Sequence, residues 1–369
     1  MVYLDYAANT PVDSEVLDTF VDATKKYTAN PNSSHYLGRI AKEKIDEASS
    51  FISKYFNCSP EGVIYTSGSS ESNNLVIKGI ALRNKDKGRH IIISAVEHSS
   101  VVAPCNYLAS LGYDVSVIPL DKDGKVDLEV LKEEINDETI LVSICSVDSE
   151  LGTIQPIKEI ASIVKEYPNC TMHTDATQAI GKVNMDFTGV DFITFAPHKF
   201  FGLNGFGVLI NVNNKTLVPL IHGGKSTTIF RSGTPVTANV IALEKAFEIA
   251  TSKLQEREQY ISNLNSILRE KLEKFQCVHI NSPINSIPST LNISLINKDT
   301  KEIIKRLEEK EIYVSTTTAC ALGDAPSKSV LAITGSEELA SNTIRISLSH
   351  LTKKSDIDIF IQVFSELVK

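Results

Sequence analysis

Between residues 61 and 212, short apolar runs rich in β-branched residues recur along the chain: VIYT, HIIIS, DVSVIPL, TILVSIC, CTMHT, DFITF and GVLINV. Amphipathic stretches, Asn73 to Arg83 and Ile157 to Lys165 among them, separate several of these runs. That alternation predicts a mostly parallel sheet covered by helices on both faces. A helical pattern with no internal Pro or Gly follows, from about Thr237 to Phe275, and reads as a connector into a second unit. Beyond Cys277 the strands are fewer (CVHI, TLNISL, TIRISL) and mix with helices near Lys301 to Lys310 and Ser355 to Leu367, a small α+β pattern. The expected division is a large α/β domain over 13–250 and a small α+β domain formed by 1–12 plus 251–369, with the strand-like start VYLDYAAN packing on the latter.

Composition narrows the function classes. The 369 residues are 42% hydrophobic, enough for a large core, and the net charge of -8 is spread along the chain, so there is no electrostatic footprint for nucleic acid. No basic-then-apolar leader opens the sequence, and no stretch nears the roughly 20 apolar residues of a membrane span. A cytoplasmic protein with no membrane partner is expected. The six cysteines (Cys58, Cys105, Cys145, Cys170, Cys277, Cys320) are scattered without CxxC spacing, which argues against a disulfide framework and against a metal site.

Candidate chemistry concentrates at strand ends. DFITF leads into His198 and Lys199 and then a glycine-rich turn, setting an amine where open α/β sheets bind ligands. Such an amine can bond the aldehyde of pyridoxal 5'-phosphate (PLP), and Asp175, at the end of CTMHT, supplies the acidic partner that the pyridine nitrogen needs. TSGSSESNN (Thr66 to Asn74) runs from a strand through Gly68 into a helix start, where backbone N–H groups with Ser69 and Ser70 suit a phosphate. His98, after HIIIS, suits stacking on a flat ring and proton handling. Taken singly, each has a plainer reading: Lys199 as a surface lysine, Asp175 as an N-cap for a helix over Ala176 to Ile180, Ser69 or Ser70 as caps, His98 as a surface or cap residue.

Together these strings resemble the class V aminotransferase family, and within it the NifS/IscS-like cysteine desulfurases. The resemblance runs nearly end to end through YLDYAANTPV, NPNSSHYLGR, TSGSSESNN, EHSSV, HTDATQAIGK, the HK pair, HGG, RSGT and TIRISL, in the family's order. It implies the fold of fold type I PLP-dependent transferases, a homodimer with active sites at the subunit interface, L-cysteine as substrate and a sulfur-acceptor protein as partner. By this resemblance Lys199 carries the cofactor, Asp175 pairs with the pyridine nitrogen, Gln178 meets the ring hydroxyl and His98 stacks on the ring. Ser69, Ser70 and His198 hold the phosphate, with Thr234 reaching it from the partner subunit, and Arg345 takes the substrate carboxylate. Cys320, in STTTACALGDAPSKSVL, stands where the family keeps the nucleophile that accepts sulfur as a persulfide, Lys199 and His98 moving protons.

Departures from the family pattern mark a divergent member. Asp148 and Ser149 replace two consecutive asparagines, so Ser149 is the expected contact to cofactor and substrate, and Asp148 is expected to add negative charge near an anionic substrate. Ala196 and Pro197 replace a serine and its neighbour before the HK pair, and Lys225, Ser226 and Thr227 follow HGG. Two further readings stay open: a selenocysteine lyase, C–S lyase or aminotransferase of the same PLP chemistry, and a catalytically weak sulfur-relay scaffold.

Overall fold

The computed structural model describes residues 1–316 and 325–369. Strand β1 (Val2–Tyr3) stands apart from a seven-stranded sheet made of β2 (Val63–Thr66), β3 (His90–Ser94), β4 (Asp114–Ile118), β5 (Thr139–Ser143), β6 (Thr171–Asp175), β7 (Phe192–Phe195) and β8 (Gly207–Asn211). Its order is β2-β8-β7-β6-β5-β3-β4, and β8 alone runs against its neighbours. The mostly parallel sheet read from the apolar runs is therefore present.

Alternation along the strands explains the layering. Ile92, Val142, Met172, Ile193 and Val208 join a core with helices α1 (Ser14–Lys26) and α2 (Tyr36–Tyr55), while Ile91, Ile93, Leu141, Phe192 and Leu209 join another with α3 (Ser69–Arg83) and α4 (Ser99–Ala109). Helices α5 (Leu128–Glu134) and α6 (Ile157–Val164) extend the first of these layers. All five residues of β3, β5, β6 and β8 are buried, as a sheet covered on both faces requires.

The helical pattern from Thr237 divides in two, α7 (Thr237–Ser252) and α8 (Leu254–Leu272). Lys253, at φ -100° and ψ 7°, breaks the run without Pro or Gly. The cause is a change of core: Val240, Leu243 and Phe247 of α7 pack with the large sheet, whereas Ile261, Leu264, Leu268 and Leu272 of α8 pack elsewhere. That second core is built on the antiparallel sheet of β9 (Val278–Ile280), β10 (Thr290–Leu295) and β12 (Thr343–Ser347), in the order β12-β10-β9. Around it lie α9 (Thr300–Glu309), β11 (Ile312–Tyr313), the short helices α10 (Lys328–Thr334) and α11 (Glu337–Ser341), and α12 (Lys354–Leu367).

Val2 and Leu4 belong to this second core, because β1 pairs in parallel with β11. Beyond it, Asp5 bridges to Ser347, and Ala7 donates its N–H to Ser347 Oγ at 2.9 Å. The start of the chain is thereby carried past β12 towards the carboxyl ends of the large sheet. No helix among the described residues is long and apolar enough to cross a membrane.

Candidate active site

A cavity of about 280 Å³ opens where the parallel strands of the large sheet end. Ser69, Ser70, His98, Ser149, Asp175, Gln178, His198, Lys199 and Arg345, all expected from the sequence, line it. Thr234 does not: it lines a separate space of about 130 Å³ with Arg231, Thr66 and Gly205. Cys320 lies outside the described residues.

Lys199 ends a single turn of 3-10 helix, Pro197–Lys199, directly after β7. Its Nζ donates to the carbonyls of Ala7 at 2.9 Å and Ala8 at 2.6 Å, so the chain start holds the amine in the cavity. His198 beside it is pushed down to about 4, chiefly by burial and then by the charges of Lys199 and Lys182. It is a neutral imidazole at neutral pH.

Asp175 closes β6, and no helix follows it over 176–180. Its Oδ1 accepts from Thr177 N at 3.0 Å, which turns the chain, and its Oδ2 accepts from Asn73 Nδ2 at 2.7 Å. His173, two residues earlier on the strand, lies outside the cavity. Its ring joins Ser143 of β5 at 2.8 Å to Thr194 of β7 at 3.0 Å, and burial pushes it down to about 4, so it braces the sheet.

Gln178 is gripped at both ends: Nε2 donates to Ala7 O at 3.0 Å, and Lys182 Nζ donates to Oε1. Burial, with the neighbouring charges of Lys199 and Arg345, pushes the Lys182 ammonium well below the ordinary lysine range. His98 caps α4, its Nδ1 accepting from Ser100 N at 3.2 Å. Burial and the Lys199 charge lower its affinity for a proton, against the pull of Asp175.

Gly68 precedes α3, and no side chain caps that helix. The first-turn N–H groups are thus left for an anion, with Ser67 N instead given to Glu71 Oε2 at 2.7 Å. A Cβ on Gly68 would meet no atom within 4 Å and would project into open space beside this seat. Arg231 Nε pairs with Glu71 Oε1 at 3.0 Å, tying the RSGT segment to the same helix start.

Arg345, on β12, is 1% exposed and reaches the cavity from the second core. Its Nη1 donates to Ser149 O at 3.1 Å and its Nη2 to Asp5 Oδ1 at 3.0 Å, while Nε is buried with no partner among the described residues.

Asp148 stands behind the cavity wall, close enough for its charge to act on Arg345. Its carboxylate is buried and turned to Leu151 N at 2.5 Å, Glu150 N at 3.0 Å and Ser329 Oγ at 2.8 Å, so it anchors α10 and does not line the cavity. A carboxylate beside backbone N–H groups finds its hydrogen bonds there, and burial then disfavours any free charge facing a ligand. Of the residues the sequence left unremarked, Asn73, Ser100, Lys182 and Asp5 hold others in place. Asn73 stood inside TSGSSESNN, but nothing local told its inward face from its neighbours'.

Residues 2–360 match the family model for class-V aminotransferases. The chain belongs to that family. A cysteine desulfurase IscS of Dictyoglomus turgidum is 37% identical, over 100% of this chain and 94% of that protein; one of Methanosarcina thermophila is 35% identical, over 100% and 92%. Among solved structures, a NifS-like protein superposes with a TM-score of 0.93 at 32% identity, covering 100% of this chain and 99% of that one. A NifS-like protein from Rickettsia africae gives 0.88 at 32% identity, covering 100% and 99%. The fold is that of the fold type I PLP-dependent enzymes.

The family's cofactor is PLP, and the cavity suits it on its own evidence. An amine on a turn, a buried carboxylate, an uncapped helix start beside a glycine with free space and a neutral imidazole meet in one volume.

Proposed function

We propose that this chain is a PLP-dependent cysteine desulfurase, which takes sulfur from L-cysteine, leaves L-alanine and passes the sulfur on from a persulfide at Cys320. The observation that carries this reading is the convergence of Lys199, Asp175, His98 and Arg345 on one cavity at the strand ends.

Lys199 would bind the cofactor, Asp175 would pair with its pyridine nitrogen, and Ser69 and Ser70 with the start of α3 and His198 would seat its phosphate. Gln178 and Ser149 would meet its ring hydroxyl, and His98 would stack on its ring. When bound, the cofactor supplies the electron sink for the pair left on the substrate Cα. Arg345 receives the substrate carboxylate with the guanidinium hydrogens not given to Ser149 O and Asp5. Lys199 Nζ takes the Cα proton. The Cys320 thiolate attacks the substrate sulfur, forming the S–S bond as the Cβ–S bond breaks with its electron pair on the carbon side, and protons returned through Lys199 and His98 complete alanine. An acceptor thiol then takes the outer sulfur.

A homodimer completes the site in this reading, Thr234 reaching the partner's phosphate seat. Apolar side chains left open near that segment, Ile229 at 62% and Val236 at 55% exposed, favour a partner there. The cytoplasm is the proposed compartment, and the free thiols of Cys58, Cys105, Cys145, Cys170 and Cys277 agree with reducing surroundings.

The test is release of alanine and sulfide from L-cysteine with a thiol reductant present. Lys199→Ala is expected to lose the visible absorbance of the bound cofactor and the activity together. Cys320→Ser is expected to keep the absorbance and lose the sulfide. A Cys320→Ser enzyme as fast as the unaltered one would move the chain to the lyases of the same chemistry.

A further inference from the structure

The hydrogen bonds beneath the cavity form a directed chain. Asn73, on α3, is 0% exposed, and its Nδ2 lies 2.7 Å from Asp175 Oδ2 and 2.9 Å from Ser100 Oγ. Both of its amide hydrogens are therefore committed. The orientation of the amide is not arbitrary, since the reverse would set Asn73 Oδ1 against the carboxylate oxygen of Asp175. Oδ1 is instead buried with no partner among the described residues, so the side chain acts at this spot through its two donors.

Direction passes through Ser100. Its Oγ receives a hydrogen from Asn73, and its own hydrogen has His98 Nδ1 at 2.8 Å. Ser100 N also points its hydrogen at Nδ1, at 3.2 Å. A ring nitrogen met by two donors presents its lone pair. A hydrogen on Nδ1 would face the Ser100 N–H directly and leave the Ser100 hydroxyl hydrogen without its acceptor.

We propose that Asn73 is a positioning residue that, through Ser100, fixes His98 as the neutral tautomer with its proton on Nε2, using the same amide nitrogen that holds the Asp175 carboxylate. Two groups that would act on one ring, Asp175 at its nitrogen and His98 over its face, are then set by a single side chain. His98 presents its Nε2–H as a hydrogen-bond donor, and it relays a proton only when Ser100 turns away, Nδ1 taking one up as Nε2 gives one. Burial works in the same direction, keeping the ring neutral. The purpose of the network rests on the desulfurase reading; its geometry does not.

The experiment is 15N NMR of histidine-labelled protein near neutral pH, with and without added PLP, the His98 signals being identified by their loss in His98→Gln. The unaltered protein is expected to show His98 with a bare Nδ1 and a protonated Nε2. Asn73→Leu, close in size, is expected to give a mixture of the two tautomers while circular dichroism is unchanged. Should Asn73→Leu not fold, Ser100→Ala serves: it removes the hydroxyl link, keeps the backbone N–H, and is expected to give a smaller admixture. A proton on Nδ1 in the unaltered protein, or a pure Nε2–H ring in both variants, overturns the proposal. A protein that takes up no PLP yet keeps the Nε2–H ring of the unaltered chain sinks the desulfurase reading and leaves this one standing.

Discussion

Gly207 packs its Cα against the backbone of Gly68: a Cβ on Gly207 would lie 2.5 Å from Gly68 Cα and 2.8 Å from Gly68 N. The contact places the first residue of β8 directly beneath the expected phosphate seat. Backbone cannot step aside as a flexible side chain does. Gly207→Ala is therefore expected to displace the loop before α3, costing about 1–3 kcal/mol of stability and loosening PLP. Cofactor retention through gel filtration, followed by absorbance, together with urea unfolding, checks both parts. An alanine variant that holds PLP as firmly as the unaltered chain contradicts the argument.

Asp5→Ala removes the carboxylate that faces Arg345 Nη2 at 3.0 Å. Asp5 keeps a side chain 21% exposed, so the loss is less than for a fully enclosed pair, about 1–3 kcal/mol. Arg345 also loses its fixed orientation, and the KM for L-cysteine is expected to rise more than kcat falls. An unchanged KM with lowered stability would restrict Asp5 to a structural part.

Glu97 gives a pH signature. It is 7% exposed, its Oε1 accepts from Ser94 Oγ at 2.6 Å and Cys145 N at 2.8 Å, and its Oε2 has no partner among the described residues. Burial pushes its carboxyl up to about 8, against those hydrogen bonds. A folded value raised above the unfolded 4.5 means that stability from this group is complete below 4.5 and is lost as pH rises through 8. Glu97→Gln escapes that loss. Relative to the unaltered chain it is expected to gain about 2–4 kcal/mol between pH 5 and pH 8.5, read from urea midpoints at each pH. A difference that stays constant with pH would show a carboxylate already ionised.

The Gln178 amide is set from both ends, Nε2 donating to Ala7 O and Oε1 accepting from Lys182 Nζ. Lys182→Met keeps the length and removes the donor. The freed amide is expected to weaken PLP binding about 5–10-fold, the worth of roughly one hydrogen bond, and to shift the visible absorbance. Titration of the cofactor-free protein with PLP measures the first effect, and no change in affinity would contradict it.

Local pattern was enough for the strands of the two larger sheets and for helices such as α3, α6, α9 and α12, but not for α1 and α2, and a sheet covered on both faces leaves long apolar runs such as HIIIS and TILVS. It also marked the ends where ligands gather. What it missed depends on contacts between distant parts of the chain. The break at Lys253 has no local signal, because either core would accept a continuing helix and only their separation stops it. That the Asp148 carboxylate is tied behind the cavity wall depends on Ser329, 181 residues away. Asn73 and Lys182 carry ordinary polar side chains on helical or turn segments, and their work becomes visible only when Asp175 and Gln178 are in place.

The carbonyls of Ala7 and Ala8 grip Lys199, and Ala7 is itself held by Ser347. During synthesis the large sheet, with Asp175, Lys199 and the start of α3, is complete long before β12 has left the ribosome. Domains formed early in the chain fold as they emerge, so a nascent chain is expected to own the ring-binding half of its site while the amine still swings loose and Arg345 does not exist. The amine is therefore expected to reach its held position only once β12 brings Ser347 against Ala7.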